Sequence, residues 1–420
     1  MAKPKLVVSL RVAIDQFIEP EFLNESTQLA EGCGSFIEVD KVHLHAALGE
    51  ESQCFSRVGA VPYAKDLNFH RFDRPVIDRV SLPIGSPVQS VVLRNRSSEY
   101  IYRPAWWVPG GHAQTLWGKF FRARAPLPVR IERWDTPDGD FVDIYRLDAP
   151  ADRPRLFFLH GLEGTIRSHY VSGLFNEAFT RGWAADLLIF RGCGDEPNRL
   201  PRFYHSGETG DLAFALSRVL HEHPNSPILL ADVSLGGNVV LKFLGERGAS
   251  LPTAIRGAAT ISVPYDLERG ARHLSRGFSR IYDRHFLRTL RQKARAKLER
   301  FPHLFDAGAL ERAQSIYEFD DAVTAPVHGF ADAHDYYSRS SSIKWIEAIA
   351  RPTFLLSSYD DPFLPRDVLD EVRVRARANA SLSLEFTRRG GHVGFVAGPV
   401  PLRPSYYAEW RVCEFLATTL

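Results

Sequence analysis

The sequence has few cysteines, no long apolar run and almost no net charge, and each of these absences excludes a class of protein. The four cysteines are scattered at Cys33, Cys54, Cys193 and Cys413, and no two of them form a C-x-x-C pair. This spacing argues against a zinc site or a disulfide scaffold and is typical of a reducing compartment. The net charge of +2 argues against general attraction to nucleic acid or to acidic membranes.

The first residues carry no signal for export. Their apolar run from Leu6 to Leu10 is followed by Arg11 and Asp15 and is too short for the core of a signal peptide. No apolar run in the chain reaches the ~18 residues that a transmembrane helix needs. We therefore expect a cytoplasmic protein without a transmembrane segment.

From about residue 100 onward the sequence contains apolar strands that alternate with helices. "VRIERW" and "FVDIYRL" flank the turn sequence "DTPDGD" and predict a β-hairpin. After it, strand patterns such as "RLFFLHG", "AADLLIF" and "PILLADV" are separated by amphipathic helical patterns. This alternation predicts an α/β fold with a mostly parallel sheet that helices cover on both faces.

The pattern divides the chain into an N-terminal extension of unknown role, residues 1–98, and one domain over residues 99–420. A helical, cap-like insertion is expected at about residues 266–345. Within it, apolar residues at helical spacing form one stripe: Leu287, Leu290, Ala294, Leu298 and Phe301. Basic residues surround that stripe: Arg288, Arg291, Lys293, Arg295 and Lys297. We interpret the basic residues as the solvated face of a cap helix; the alternative is a peripheral surface that meets anionic lipid.

Ser234 is the strongest candidate for a nucleophile. It follows the strand "PILLADV" and precedes the helix "GGNVVLKFLGERG", which is the context of a nucleophile elbow. A sharp turn there presents the hydroxyl away from the sheet, and Gly236 allows the helix to approach closely. Ser275 also stands in an S-x-G sequence, but it lies in a stretch whose pattern predicts a helix, with no strand before it.

A serine hydroxyl needs a base and an orienting carboxylate before it can attack an ester. The strand "PTFLLSS" ends in "YDDPFLP", which contains Asp360 and Asp361, and the strand "SLSLEFT" leads to His392 in "RRGGHVGFV". Because function in α/β sheets lies at the carboxyl ends of the strands, we expect these groups to meet. The order serine, aspartate, histidine is that of the α/β-hydrolases.

The backbone N–H groups of Leu162 and Leu235 are the expected oxyanion donors. Leu235 directly follows the candidate nucleophile, and Leu162 lies in "FFLHGLEG", the loop after an early strand. His160 in the same loop could be mistaken for a base, but we interpret it as a residue that shapes the loop.

Several sequence blocks, in order from about residue 100 to 420, resemble the YheT-like branch of the α/β-hydrolases, which is related to the mammalian ABHD-type lipid hydrolases. The blocks are "YRPAWWVPGGHAQTLW", "LHGLEGTIRSHY", "FRGCGDEPNRLPRFYHSGETGDL", "SLGGN", "YEFDDAVTAPVHGFADAHDYY", "DDPFLP" and "GGHVGFV". The resemblance implies an α/β-hydrolase fold with Ser234 as nucleophile, Asp361 as acid and His392 as base. It favours Asp361 over Asp360 because the family acid stands four residues before a proline, here Pro365.

The resemblance implies a serine hydrolase that cleaves carboxylic esters, including lipid esters, through an acyl-enzyme, with no cofactor and no metal. Two features depart from the family: residues 1–98, and Asp232, which stands where the elbow motif has glycine. If ionised, Asp232 would lie close to the serine and slow the reaction. It favours the alternative of a catalytically silent binding protein, and thioester or other acyl-transfer chemistry is a further alternative on the same fold. Nucleic-acid binding is not expected, and the pattern does not indicate an oligomeric state.

Overall fold

A computed structural model of the chain describes residues 101–123 and 127–420. The expected extension, residues 1–98, lies outside the described residues, and so do Cys33 and Cys54. Cys193 and Cys413 are buried free thiols. In the described part of the chain, no helix combines the length and the apolar character needed to cross a bilayer.

The described residues form a sheet of eight strands in the order β1-β2-β4-β3-β5-β6-β7-β8. The first two strands run antiparallel to their neighbours, and all later pairs are parallel. The strands are β1 (Arg130–Asp135), β2 (Phe141–Leu147), β3 (Arg155–Leu159), β4 (Ala184–Ile189), β5 (Ile228–Val233), β6 (Ile255–Ile261), β7 (Thr353–Ser358) and β8 (Leu382–Thr387). The predicted hairpin is confirmed as the pair β1 and β2.

Every residue of β3, β4, β5 and β7 is buried. Successive side chains of a strand point to opposite faces of the sheet, so a strand that is buried throughout must be covered by helices on both faces. The predicted α/β fold is therefore confirmed. A short antiparallel pair, β9 (Val396–Ala397) and β10 (Ser405–Tyr406), was not predicted. Strands of two residues carry too little pattern to be recognised in a sequence.

Twelve α-helices accompany the strands within the described residues. They are α1 (Gly110–Phe121), α2 (Val171–Arg181), α3 (Gly210–Glu222), α4 (Leu235–Arg247), α5 (Leu267–Leu274), α6 (Arg280–Arg300), α7 (Ala307–Arg312), α8 (Ile316–Phe319), α9 (Ala325–His328), α10 (Ala333–Ser340), α11 (Arg366–Ala376) and α12 (Tyr407–Ala417). Helix α4 packs on β3, β5 and β6, and α12 packs on β5, β6 and β7 and against α2.

The helices from α5 to α10 lie between β6 and β7. The apolar stripe of α6 faces a small core of its own, in which Leu287 and Ala294 are buried. The interpretation of the basic residues as one solvated face is wrong for part of the helix. Lys297 is only 7% exposed and donates a hydrogen bond to Leu200 O, whereas Arg295 is exposed. Helix geometry places charges around the stripe but does not decide which of them meets another element.

Candidate active site

Ser234 stands between the last residue of β5 and the first residue of α4, with φ 55° and ψ −119°. Positive φ is rare for a residue that has a side chain, and here it turns the chain sharply from strand to helix. A Cβ atom added at Gly236 would lie 2.7 Å from the Cβ atom of Leu159 in β3. Only glycine fits in that space. The local geometry that the sequence predicts for a nucleophile elbow is therefore present.

His392 connects the serine to a carboxylate. Its Nε2 atom lies 2.9 Å from Ser234 Oγ, and its Nδ1 atom lies 2.9 Å from Asp361 Oδ2. A carboxylate only accepts hydrogen bonds, so in this arrangement Nδ1 carries the proton and donates it to Asp361. Nε2 is then free of a proton and accepts the hydrogen bond of the serine hydroxyl. None of the three residues is more than 9% exposed, so little water competes for these contacts.

Asp360 has a different set of partners from its neighbour. Its Oδ1 atom accepts the N–H groups of Gly390 at 2.8 Å and Gly391 at 2.9 Å, and the hydroxyl of Ser358 at 3.0 Å. These bonds shape the loop that leads to His392. One carboxylate therefore holds the loop backbone, and the next one in sequence holds the imidazole ring.

Two residues that the sequence analysis did not single out hold His392, one at its ring and the other at its backbone. The ring of Phe363 stacks on that of His392, with the centroids 4.0 Å apart and the planes at 12°. The backbone N–H of His392 donates to Thr115 Oγ1 at 2.9 Å, and the Thr115 hydroxyl donates to Gly111 O at 2.7 Å. Both residues stand in blocks quoted for the resemblance, "GGHAQTLW" and "DDPFLP", but nothing in those blocks indicates what they contact.

The two expected oxyanion donors belong to backbone segments next to the serine. Leu235 is the first residue of α4, where a helical N–H has no acceptor within the helix. Leu162 follows Gly161, whose added Cβ would lie 3.2 Å from the Cβ of Ser234. A hydrogen bond of 2.9 Å from Gly164 N–H to Gly161 O closes the loop around Leu162 into a tight turn. Both leucines and the serine line the same cavity.

Two other polar residues have structural positions. His160 is fully buried, and its Nδ1 donates to Gly161 O at 2.8 Å while its Nε2 accepts the N–H of Phe190 at 3.1 Å. Burial lowers the pKa of His160 to about 4, so it stays neutral and shapes the loop. Ser275 follows the end of α5, and its hydroxyl donates to Arg272 O at 3.0 Å. It does not stand between a strand and a helix, as a nucleophile elbow requires.

A cavity of about 490 Å³ opens above Ser234 and His392. Apolar side chains from α1, α5 and α6 form much of its wall: Leu116, Phe120, Leu274, Ile281, Phe286 and Leu290. Such a wall binds hydrocarbon better than polar groups. Among the described residues, no group of three or more His, Cys, Asp or Glu side chains is arranged to hold a metal ion.

A family model described as the alpha/beta hydrolase fold matches residues 154–399. The chain belongs to the α/β-hydrolase family. This α/β hydrolase is 38% identical over 314 residues to the YheT protein of Escherichia coli (strain K12), whose name proposes esterase activity. The match covers 74% of this chain and 91% of that protein. The resemblance to the YheT-like branch is thereby confirmed.

Eukaryotic relatives include phospholipase ABHD3 of Mus musculus, which is 29% identical over 73% of this chain and 75% of its own length. Monoacylglycerol lipase of Saccharomyces cerevisiae is 30% identical over 64% of this chain and 60% of its own length. The α/β hydrolase is therefore of the esterase and lipase type.

The effect that the sequence analysis expects of Asp232 in this α/β hydrolase depends on whether its carboxyl group is ionised. Asp232 is 1% exposed, and its Oδ1 accepts the N–H of Leu159 at 2.7 Å. Burial raises the pKa of Asp232 well above its ordinary value, against the opposing effect of that hydrogen bond. The carboxyl group ties β5 to the end of β3, next to the loop that carries Leu162. Its direction toward β3 could not be read from its place in the motif.

Asn238 in "SLGGN" is a further residue whose position the sequence does not reveal. Its Nδ2 group donates to Ser206 O at 2.7 Å and Ser340 O at 2.9 Å, and its Oδ1 accepts the N–H of Ser342 at 2.9 Å. The side chain is fully buried. Through these bonds, the helix that follows the nucleophile anchors the end of the helical insertion.

Proposed function

We propose that this α/β hydrolase cleaves carboxylic acyl esters by a serine mechanism, with Ser234 as nucleophile, His392 as base and Asp361 as the group that orients the histidine. One observation carries the proposal: Nε2 of His392 lies 2.9 Å from Ser234 Oγ while Nδ1 lies 2.9 Å from Asp361 Oδ2. This is the geometry in which a histidine accepts the serine proton as the hydroxyl attacks.

In the first half of the reaction, Ser234 Oγ attacks the ester carbonyl carbon and Nε2 of His392 takes the hydroxyl proton. The carbonyl oxygen becomes an oxyanion, which the N–H groups of Leu162 and Leu235 stabilise. Asp361 stabilises the imidazolium. The C–O bond to the leaving alcohol then breaks, the alcohol oxygen receives the proton from Nε2, and the acyl group stays on Ser234.

In the second half, water replaces the alcohol. Nε2 removes a proton from the water as its oxygen attacks the acyl carbon, and a second oxyanion forms between the same donors. The bond between the acyl carbon and Ser234 Oγ breaks, Nε2 returns the proton to Oγ, and the carboxylic acid leaves. Each half uses the same three side chains, so a single geometry serves both steps.

The apolar cavity supports a substrate with a hydrocarbon acyl chain, and the names of the phospholipase and monoacylglycerol lipase relatives support a lipid ester. The bond from Leu159 N–H to Asp232 Oδ1 supports an active enzyme over the alternative of a silent binding protein, because it directs that carboxyl oxygen toward β3. Thioester cleavage uses the same groups, and the test below separates the two chemistries.

The test treats the full-length chain with a fluorophosphonate probe and then with a panel of esters and thioesters of increasing acyl length. We expect stoichiometric labelling of Ser234 and faster turnover of medium or long acyl esters than of acetate. An unlabelled protein that turns over no substrate would be a silent member of the family. Faster cleavage of every thioester than of its matched oxygen ester would assign the alternative chemistry.

A further inference from the structure

The turn that carries Leu162 contains an unusual backbone conformation. Glu163 is its third residue and has φ 54°, and the turn closes with the bond from Gly164 N–H to Gly161 O. A positive φ at this position is normally supplied by glycine. A residue with a side chain holds it only where surrounding contacts compensate for the strain. The contacts of Glu163 therefore stabilise the turn that contains Leu162.

Tyr204 supplies the first of these contacts. Its hydroxyl oxygen accepts the N–H of Glu163 at 3.0 Å, and the same hydroxyl donates to Glu163 Oε1 at 3.0 Å. The Tyr204 ring is stacked on Phe190, with the centroids 5.1 Å apart and the planes at 11°. Tyr204 thus holds both the backbone and the side chain of Glu163 from the side of the core domain.

Lys293 supplies the second contact, and it comes from the helical insertion. Its Nζ atom lies 2.8 Å from Glu163 Oε1 and 3.4 Å from Cys193 Sγ. The Glu163 side chain is only 7% exposed. Removing one partner of such a pair leaves a buried charge without compensation, which is strongly unfavourable. The ion pair therefore ties helix α6 to the turn beside Ser234.

We propose that Lys293 is a positioning residue: by binding Glu163, it holds the strained turn so that the Leu162 N–H is directed at the oxyanion. This inference rests on the proposed function. If Lys293 has this role, the Leu162 N–H is held in its oxyanion-binding orientation only while α6 covers the cavity. The insertion would then contribute to the rate of the reaction as well as to the choice of substrate.

Lys293 also lines the cavity, so its ammonium group could bind an anionic substrate directly. A neutral substrate separates the two roles, because it offers no charge for the ammonium to bind. The test therefore uses an uncharged p-nitrophenyl ester. Its variants are Lys293→Met, which removes the charge, and Glu163→Gln, which removes the ion pair but keeps an acceptor for Tyr204.

The matched control is Arg295→Gln. Arg295 is on the same helix, and its ion pair with Glu311 at 2.6 Å is half exposed and away from the cavity. We expect Lys293→Met and Glu163→Gln each to lower kcat about tenfold with KM changed less than about twofold, since removal of a whole oxyanion donor costs about 10² to 10³. The double variant should be no slower than either single variant. Lys293→Arg should recover most of the rate, and Arg295→Gln should match the wild type.

An unchanged kcat in both variants would overturn the inference, and so would additive losses or an equal loss in Arg295→Gln. A change confined to KM, seen only with anionic esters, would assign Lys293 to substrate binding instead. Glu163→Gln is isosteric and remains informative if Lys293→Met fails to fold. A wild type that neither labels nor hydrolyses any ester would refute the proposed function itself, whereas an active wild type with insensitive variants refutes only the role of Lys293.

Discussion

The strand ends at the carboxyl edge of the sheet and the helical insertion between β6 and β7 face each other across one cavity, but different forces hold them. At the strand ends, backbone geometry positions the side chains: Ser234 sits in a strained turn, and Gly236 packs directly on β3. Side chains connect the insertion to the rest of the domain: Lys293 of the insertion binds Glu163, and Asn238 of α4 binds Ser340 O of the insertion. Groups that are positioned by the ends of rigid strands are held more precisely than groups on loops, which suits the reacting side chains.

The largest expected effect tests the strand ends. Ser234→Ala should abolish fluorophosphonate labelling and lower ester turnover by about 10⁶, the size of loss found when a serine nucleophile is removed. Because packing and backbone contacts determine the turn, the thermal unfolding temperature should change little. Labelling that persists in the variant would mean that another residue reacts with the probe.

The second test compares two neighbouring carboxylates at one strand end. Asp361→Asn should lower kcat by about 10⁴, because an amide cannot hold His392 in the tautomer that accepts the serine proton. Asp360→Asn keeps an oxygen acceptor for the loop N–H groups and should lower kcat less than about tenfold. Steady-state kinetics on both variants measure these losses. A larger loss of kcat in Asp360→Asn than in Asp361→Asn would mean that Asp360 orients the histidine.

The third test concerns the cover. Leu290 of α6 lines the cavity, and Leu290→Trp should fill part of it. We expect the preference between long and short acyl esters to fall by about 10- to 100-fold, the effect of one or two misfitted methylenes. The rate of labelling by a small fluorophosphonate should stay within about twofold. If labelling and long-chain turnover fall together, the substitution has disturbed the reacting groups as well as the acyl-chain site.

The smallest effect on activity is expected at Asp232. Asp232→Asn keeps an oxygen acceptor for Leu159 N–H and should change kcat less than about twofold. Its effect on stability depends on pH. Burial raises the pKa of Asp232 in the folded state above the ordinary 3.8, so the folded chain binds more protons than the unfolded chain as pH rises above about 4. As the pH rises above about 4, the wild type therefore loses stability relative to Asp232→Asn.

This loss is ~1.4 kcal/mol per pH unit until the pH reaches the folded-state pKa. Urea unfolding of both proteins between about pH 4 and 8 measures it. A constant difference in stability over that range would mean that Asp232 has an ordinary pKa. Asp232→Gly serves as the contrast: it removes the bond to Leu159 and should be about 1 to 3 kcal/mol less stable than Asp232→Asn at all these pH values.

Much of the fold could be predicted because its signals are local. The turn "DTPDGD" between two strands and the apolar runs that end at Val233 and Ser358 each lie within a few residues. The candidate site was expected for the same reason, since a parallel sheet brings its carboxyl ends to one edge. Ser234 and His392 were selected from their places after strands and from chain order, and Asp361 was preferred to Asp360 because of the family resemblance; the three side chains do lie within hydrogen-bonding distance. Their chemical roles remain a proposal that the variants above test.

The alternation of strands and helices, and the order of serine, aspartate and histidine along the chain, were determined by the sequence itself. The tertiary structure alone decided that Asp232 is buried and bound to β3, that Asp360 binds the loop and that Lys293 turns inward to Glu163, 130 residues away in sequence. The physical reason is that the state of a charged side chain depends on its burial and its hydrogen-bond partners. Those partners come from distant segments, and packing brings them together in a way that no local pattern encodes.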